Sequence, residues 1–341
     1  MSDSYGFGEF YDSLYTDGKT IDLYQPFVTF LVSIFTNNYL YLFTIFGLVF
    51  GYFYANNLYL IVEQIRNYRV GLIGIVLILY LAFIIHIGDG INGVRMWTAA
   101  HVFILGVIST TIKKNRLSFM WVLLAPLFHF SLIMPALFFL IFKYTKKYFN
   151  IKFVYIFFIL SFMSTGLSIE VLRNMTESFL PDVFQEKTNS YVSEAVEERI
   201  GKTNQIADPL PKIILYYTSN LFLLFLSTFV FLKRKSLQRI EKELFVFGMS
   251  MYSLFNLLSH IPSLGRYLSI ASFLIVTACT IHYFKHQYSL RFKRLFYFLL
   301  PLGSAVIIIK IRFFLEYPSI WLIIGNPILV MIGGNEVGFY R

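Results

Sequence analysis

Charge is what this sequence has least of. Only 14% of its 341 residues are charged and 57% are apolar, whereas a soluble domain carries about 25% charged residues. Disorder is excluded, because there is too much apolar surface and too little charge. An ordinary soluble enzyme is excluded for the same reason, since apolar runs recur from end to end and mean hydropathy is +0.65. Cysteine is nearly absent. Cys279 alone excludes a disulfide framework and a Cys-based zinc site. The first 25 residues hold Asp3, Glu9, Asp12, Asp17 and Asp22 against Lys19, with no basic start and no apolar run. They are not a secretory signal. No P-loop is present, which excludes ATP-driven transport of the usual kind, and there is no H-E-x-x-H or G-x-S-x-G. No repeat of 20–50 residues marks a solenoid, and no inverted repeat marks a carrier.

What remains is a series of runs long enough to cross a bilayer, which takes about 20 apolar residues per helix. They fall at 39–62, 71–87, 96–112, 153–172, 212–232, 244–259, 267–284 and 295–315, with a weaker one at 319–333. Residues 27–36 are apolar but too short, and are expected to be interfacial or re-entrant. The expected fold is an all-α polytopic membrane protein of about 8–10 transmembrane helices. It forms a single integral membrane domain over 1–341. Within it lie an acidic, Tyr-rich segment (1–38), a first helical half (39–172), an outer loop (173–211) and a second helical half (212–341).

Basic residues orient the spans, because Lys and Arg stay on the cytoplasmic side. Five short loops hold 18 of the 29 Lys and Arg: 63–70, 113–116, 143–152, 233–243 and 285–294. The net charge of +10 is therefore mostly a topology signal rather than a nucleic-acid footprint. Loops 113–116 and 143–152 are both basic, yet only 117–142 separates them. A single crossing would put one of them on the wrong side. The stretch is therefore expected to enter from the cytoplasm, turn and return, with Pro126 and Pro135 flanking the turn. Broken backbone at membrane depth persists only where it is buried in protein or lines a watery cavity. Legs of about 12 residues carry the apex, with His129, Phe130 and Ser131, to roughly 18 Å.

The outer side then holds the N-terminal segment, the turn 88–95, the long polar loop 173–211 and the turn 260–266. No Asp-x-Asp lies on these loops and no span carries paired carboxylates. Arg95 opens a helix after the Gly-rich turn, above Thr98, Ala99, Val102 and Gly106 at helical spacing. Arg266 opens another helix after Gly265. A guanidinium grips phosphate through two parallel hydrogen bonds, and helix starts favour anions. Snorkelling to the outer headgroups is the ordinary alternative for both. His129, at the apex beside Ser131, is a candidate general base or a structural His bonding a broken-helix carbonyl. His101 is expected to serve helix packing, and His282 and His286 to be ordinary helix-end cations.

The stretch Gly93-Val94-Arg95-Met96-Trp97-Thr98-Ala99-Ala100, then Ala125-Pro126-Leu127-Phe128-His129-Phe130-Ser131 and Pro135, resembles the EpsG/Wzy family of bacterial polysaccharide polymerases. Gly265-Arg266-Tyr267 resembles that family's second Arg turn. The likeness covers most of the chain. It implies polymerisation of undecaprenyl-pyrophosphate-linked oligosaccharide repeat units into O-antigen, capsule or exopolysaccharide, on the outer face of the cytoplasmic membrane. A flippase and a chain-length regulator are the implied partners besides the lipid bilayer. The family also implies a helix before the acidic segment, so that either a start lies upstream or the tail is exported unaided.

On this reading Arg95 and Arg266 hold pyrophosphate, His129 deprotonates or orients the acceptor hydroxyl, and Asp89 positions Arg95 or accepts a proton. Asn92, Ser131, Tyr267 and Arg173 join the substrate-binding candidates. No cofactor or metal is called for, since the Arg residues supply the cation. A ligase or acyltransferase on the same lipid, or a flippase, are the rival readings.

The orientation has a direct check in a Cys279→Ser background. A maleimide that cannot cross membranes should label Ser190→Cys in intact cells and Lys147→Cys only after permeabilisation. The reverse pattern would invert the assignment.

Overall fold

The computed structural model describes residues 22–85, 87–113, 116–163, 209–259, 264–286 and 290–316. Among them there are helices and turns and no strand. This is an all-α polytopic membrane protein. The helices are α1 Tyr24–Ser33, α2 Tyr39–Ile65, α3 Leu72–Ile84, α4 Ile87–Asn92, α5 Val94–Lys113 and α6 Arg116–Phe128. They continue as α7 Ile133–Thr145, α8 Ile151–Met163, α9 Pro209–Leu232, α10 Arg239–Leu257, α11 Gly265–Lys285 and α12 Leu290–Glu316. Five described stretches are long and apolar enough to cross a membrane: Tyr39–Ile65, Leu72–Gly90, Val94–Lys113, Ile213–Leu232 and Gly265–Lys285. The expected span 319–333, the end of 153–172 and most of the loop 173–211 lie outside the described residues.

The described residues divide into two compact units, those within 22–64, 85–140 and 311–316, and those within 65–84, 141–163 and 209–310. In the first unit, the short apolar run expected at an interface is α1. It buries Tyr24, Val28 and Val32 against Leu42 and Phe46 of α2, with Val94 and Phe128 at the margin. Helices α5 and α6 approach closely at Gly106, where an added Cβ would sit 2.6 Å from the Val122 backbone nitrogen. The expected small-residue stripe is this packing face: Thr98, Ala99 and Val102 are fully buried. The Gly-rich turn 88–95 is instead the short helix α4, joined to α5 at Gly93. Gly90 is needed there for close approach, since a Cβ would meet the Phe50 ring at 2.9 Å.

The expected hairpin is present. Helix α6 ends at Phe128, a 3-10 turn covers Phe130–Leu132, and α7 follows. Phe119 and Phe139 have ring centroids 6.3 Å apart. On one continuous helix their Cα atoms would be separated by roughly 30 Å. The two legs therefore fold back on each other. Pro126 lies in the last turn of α6 and Pro135 in the first turn of α7, where its missing N–H costs nothing.

In the second unit, α10 and α11 are held close by Gly248, whose Cβ would lie 3.0 Å from the Ile275 nitrogen. Asn256 of α10 donates to the Ser161 carbonyl of α8 at 2.8 Å. Lys310 of α12 caps the α3 carbonyl of Ile84 at 2.7 Å. Helix α10 opens with a capping box of Gln238 and Glu241. Glu241 also bonds His282 of α11 at 2.8 Å, with both side chains fully buried. His282 is thus an internal partner of a buried carboxylate rather than an ordinary helix-end cation.

Gly106→Ala should lower stability by ~1–3 kcal/mol, because the new methyl meets backbone that cannot swing away. Gly47→Ala in α2, with nothing within 4 Å of the new Cβ, should gain up to ~1 kcal/mol of helix propensity. Thermal unfolding of the two variants in detergent compares them directly.

Candidate functional site

The break between α6 and α7 exposes backbone groups that an unbroken helix would have paired. The N–H groups of His129, Phe130, Ser131 and Leu132 each find a partner. The His129 N–H bonds the Ala125 carbonyl at 3.2 Å, and the Leu132 N–H bonds the His129 carbonyl at 3.0 Å. Ser131 N–H donates to His129 Nδ1 at 3.2 Å, so His129 serves as the N-cap of the 3-10 turn from an extended backbone. The Phe130 N–H goes to a more distant residue, Asp22, whose Oδ1 accepts it at 2.6 Å. Next to Asp22, the Leu23 N–H donates to the Leu127 carbonyl at 3.0 Å. Two consecutive residues ahead of α1 therefore seal the break from outside the hairpin.

The other oxygen of Asp22 faces Arg95. Nη1 donates to Oδ2 at 3.1 Å, with the Arg95 side chain 40% exposed and that of Asp22 12%. The first turn of α5 thus joins the apex through one carboxylate. Met96, next to Arg95, is 3.5 Å from Ser131 Oγ through its sulfur. Ser131 Oγ is also 2.8 Å from His129 Nδ1. Because a backbone N–H can only donate, Nδ1 of His129 must be an acceptor in this arrangement, and the neutral ring carries its proton on Nε2. Tyr24 packs beside the hairpin, its ring 4.7 Å from that of Phe128 and 5.4 Å from that of Phe46.

The site therefore gathers a partly exposed guanidinium, a carboxylate that holds it, an imidazole N–H and a hydroxyl on an irregular backbone. That set suits an anionic ligand of the phosphate type. The EpsG family model matches residues 3–319. The chain belongs to the EpsG family. That family is associated with polysaccharide polymerase activity. No curated protein and no solved structure matches the chain.

Of the residues singled out from the sequence of this EpsG-family chain, Arg95, His129 and Ser131 are brought together in the first unit. Asp89 is half-buried in the first turn of α4, its carbonyl accepting the Gly93 N–H. Asn92 ends the same helix. In the second unit, Arg266 is exposed in the first turn of α11, whereas Tyr267 is buried with its ring 4.6 Å from Phe255. Arg173 lies outside the described residues. His101 does serve packing: Asn57 donates to its carbonyl at 2.9 Å and lies 3.1 Å from Nδ1, and the ring sits edge-on to Phe50 and Tyr54.

Asp22 is the residue that sequence reading passed over. It was one acidic residue among five in the N-terminal stretch, with no motif around it. The available signal was position, since it is the acid immediately before the short apolar run of α1.

Asp22→Asn keeps an acceptor for Phe130 N–H and loses only the ion pair. Asp22→Ala loses both. The two variants differ by one neutral hydrogen bond, which contributes ~0.5–1.5 kcal/mol, so the Ala variant should unfold at a lower temperature than the Asn variant. Equal midpoints for the two would show that the apex does not depend on the Asp22–Phe130 hydrogen bond.

Proposed function

We propose that this EpsG-family protein polymerises lipid-linked oligosaccharide repeat units into a surface polysaccharide, as a metal-independent membrane glycosyltransferase. The substrate on this reading is an undecaprenyl-pyrophosphate-linked glycan, used at the outer face of a bacterial cytoplasmic membrane. The observation that carries the reading is the convergence of Arg95, Asp22, His129 and Ser131 at the hairpin break. The family match supports the polymerase class.

The reaction joins an acceptor hydroxyl to the anomeric carbon of the growing glycan as the bond from that carbon to the lipid pyrophosphate breaks. Negative charge grows on the departing pyrophosphate. Arg95 is placed to neutralise it, and such fixed cations act where charge develops in the transition state. Asp22 is a positioning residue that aims Arg95. His129, with its proton on Nε2, orients a pyrophosphate or sugar oxygen as a donor. This tautomer favours orientation over deprotonation. The acceptor's proton then passes to a carboxylate, for which Asp89 is the candidate. Arg266 is retained as a further anion contact on its sequence pattern. Flippase and chain-length regulator remain the proposed partners, and the long loop 173–211 the proposed cover of the glycan.

The test is a gel profile of lipid-linked and surface glycans from a deletion strain complemented with wild type, Arg95→Ala, Arg266→Ala or His129→Asn. Deletion and Arg95→Ala should give single repeat units in place of a ladder, the latter through a rate loss of about 10²–10³-fold. His129→Asn keeps a cap for Ser131 N–H but lacks the imidazole. It should fold, reach the membrane and still fail to build long chains. A full ladder on the carrier lipid in the deletion strain would overturn polymerisation and favour ligation or acyl transfer. Units trapped on the cytoplasmic side would favour a flippase.

A further inference from the structure

The buried pair Glu241–His282 is one part of a three-residue cluster. His286 follows His282 by four residues at the end of α11, so both imidazoles leave one face of the helix. Their ring centroids are 4.2 Å apart. Glu241 reaches them from the first turn of α10. One ligating atom from each of the three lies within 4.8 Å of the other two, the one such group among the described residues.

The hydrogen bonding of Glu241 is lopsided. Oε2 accepts the Gln238 N–H at 3.1 Å, lies 2.8 Å from His282 Nδ1 and is 3.4 Å from His286 Nε2. Oε1 is buried with no hydrogen bond among the described residues. Leaving a buried carboxylate oxygen unsatisfied is costly, and a cation is what such an oxygen attracts. A tetrahedral zinc with bonds of about 2.1 Å needs ligating atoms roughly 3.4 Å apart. The Oε2–Nε2 separation already has that value. Two imidazoles and a carboxylate are also a donor set suited to zinc rather than to calcium or magnesium.

We propose that Glu241, His282 and His286 form a three-ligand site for Zn²⁺ or a similar transition-metal ion, clamping α10 to α11. His282 and Glu241 are fully buried, and the His286 side chain is 25% exposed. The metal therefore enters past His286, and water completes its coordination. Binding replaces the Glu241–His282 contact with bonds to the metal. The site is not part of the glycan chemistry proposed above. Arg266 lies sixteen residues from His282 on the same helix, roughly 24 Å away along its axis. The clamp instead fixes the register of α11 against α10.

The experiment uses full-length protein purified in detergent through a tag without histidines, stripped with EDTA and titrated with Zn²⁺ and Co²⁺. Wild type should bind one Zn²⁺ per chain, give the visible bands of tetrahedral Co²⁺, and unfold several degrees higher with Zn²⁺ than with EDTA. Glu241→Gln and His286→Ala should each weaken binding at least tenfold and lose the thermal shift. His286 is at the helix end and partly exposed, so its variant should match wild type in EDTA even if Glu241→Gln fails to fold. No saturable Zn²⁺ binding by wild type, or equal affinity in His286→Ala, would overturn the proposal and leave a Glu–His ion pair.

Discussion

The carboxylate of Asp22 is the contact on which the candidate site depends. A helix broken among apolar helices must find partners for the backbone groups that the break releases, since apolar surroundings supply none. Between Phe128 and Ile133 the chain satisfies most of them locally, through the Ala125 carbonyl, the His129 ring and the His129 carbonyl. The Phe130 N–H takes a distant acceptor, Asp22. The acid that completes the break is also the acid that holds Arg95. The same residue therefore makes the irregular backbone tolerable and places the cation beside it.

Helix association elsewhere follows a related economy of means. Helices in lipid gain little from apolar burial, so small residues and interhelical hydrogen bonds do more of the association. Gly106 and Gly248 bring two helix pairs into backbone contact. Asn57 with His101, Asn256 with Ser161, and Glu241 with His282 each tie a polar side chain to a neighbouring helix. In each case a polar residue inside an apolar pattern marks a helix contact.

The all-α membrane architecture was legible because apolar length and basic loops are one-dimensional properties. The hairpin was legible for the same reason: two basic loops too close in sequence leave only a return path for 117–142, and the Phe119–Phe139 contact closes it. The grouping of Arg95 with His129 came from the family resemblance and short motifs, and the geometry adds the bonds between their neighbourhoods. Asp22 was not legible. Its partners are 73 and 108 residues away in sequence, and nothing in the local sequence distinguishes this acid from the others in the N-terminal stretch. The Glu241–His282 pair escaped for a like reason. A His in the last turn of a helix reads as a cation for the helix dipole, until a carboxylate from another helix is seen to cover it. The turn 88–95 was misjudged because glycine serves close approach as well as turning. Gly90 makes room for Phe50, and the segment is helical.

The two oxygens of Asp22 also separate two demands that a site of this kind must reconcile. On the proposed reading, a pyrophosphate reaching Arg95 competes with Oδ2 for the guanidinium, and Arg95 is exposed enough to meet it. Were the apex tied to that same oxygen, each arrival and departure of ligand would disturb the broken backbone. Instead Phe130 is held by Oδ1, while Leu23 holds the Leu127 carbonyl independently. The cation can then exchange partners while the hairpin stays closed. In that arrangement the guanidinium adjusts to the ligand, and His129 and Ser131 keep their positions. This is the order a transferase needs, since its fixed groups must be preorganised where charge develops and only the ligand contact should turn over.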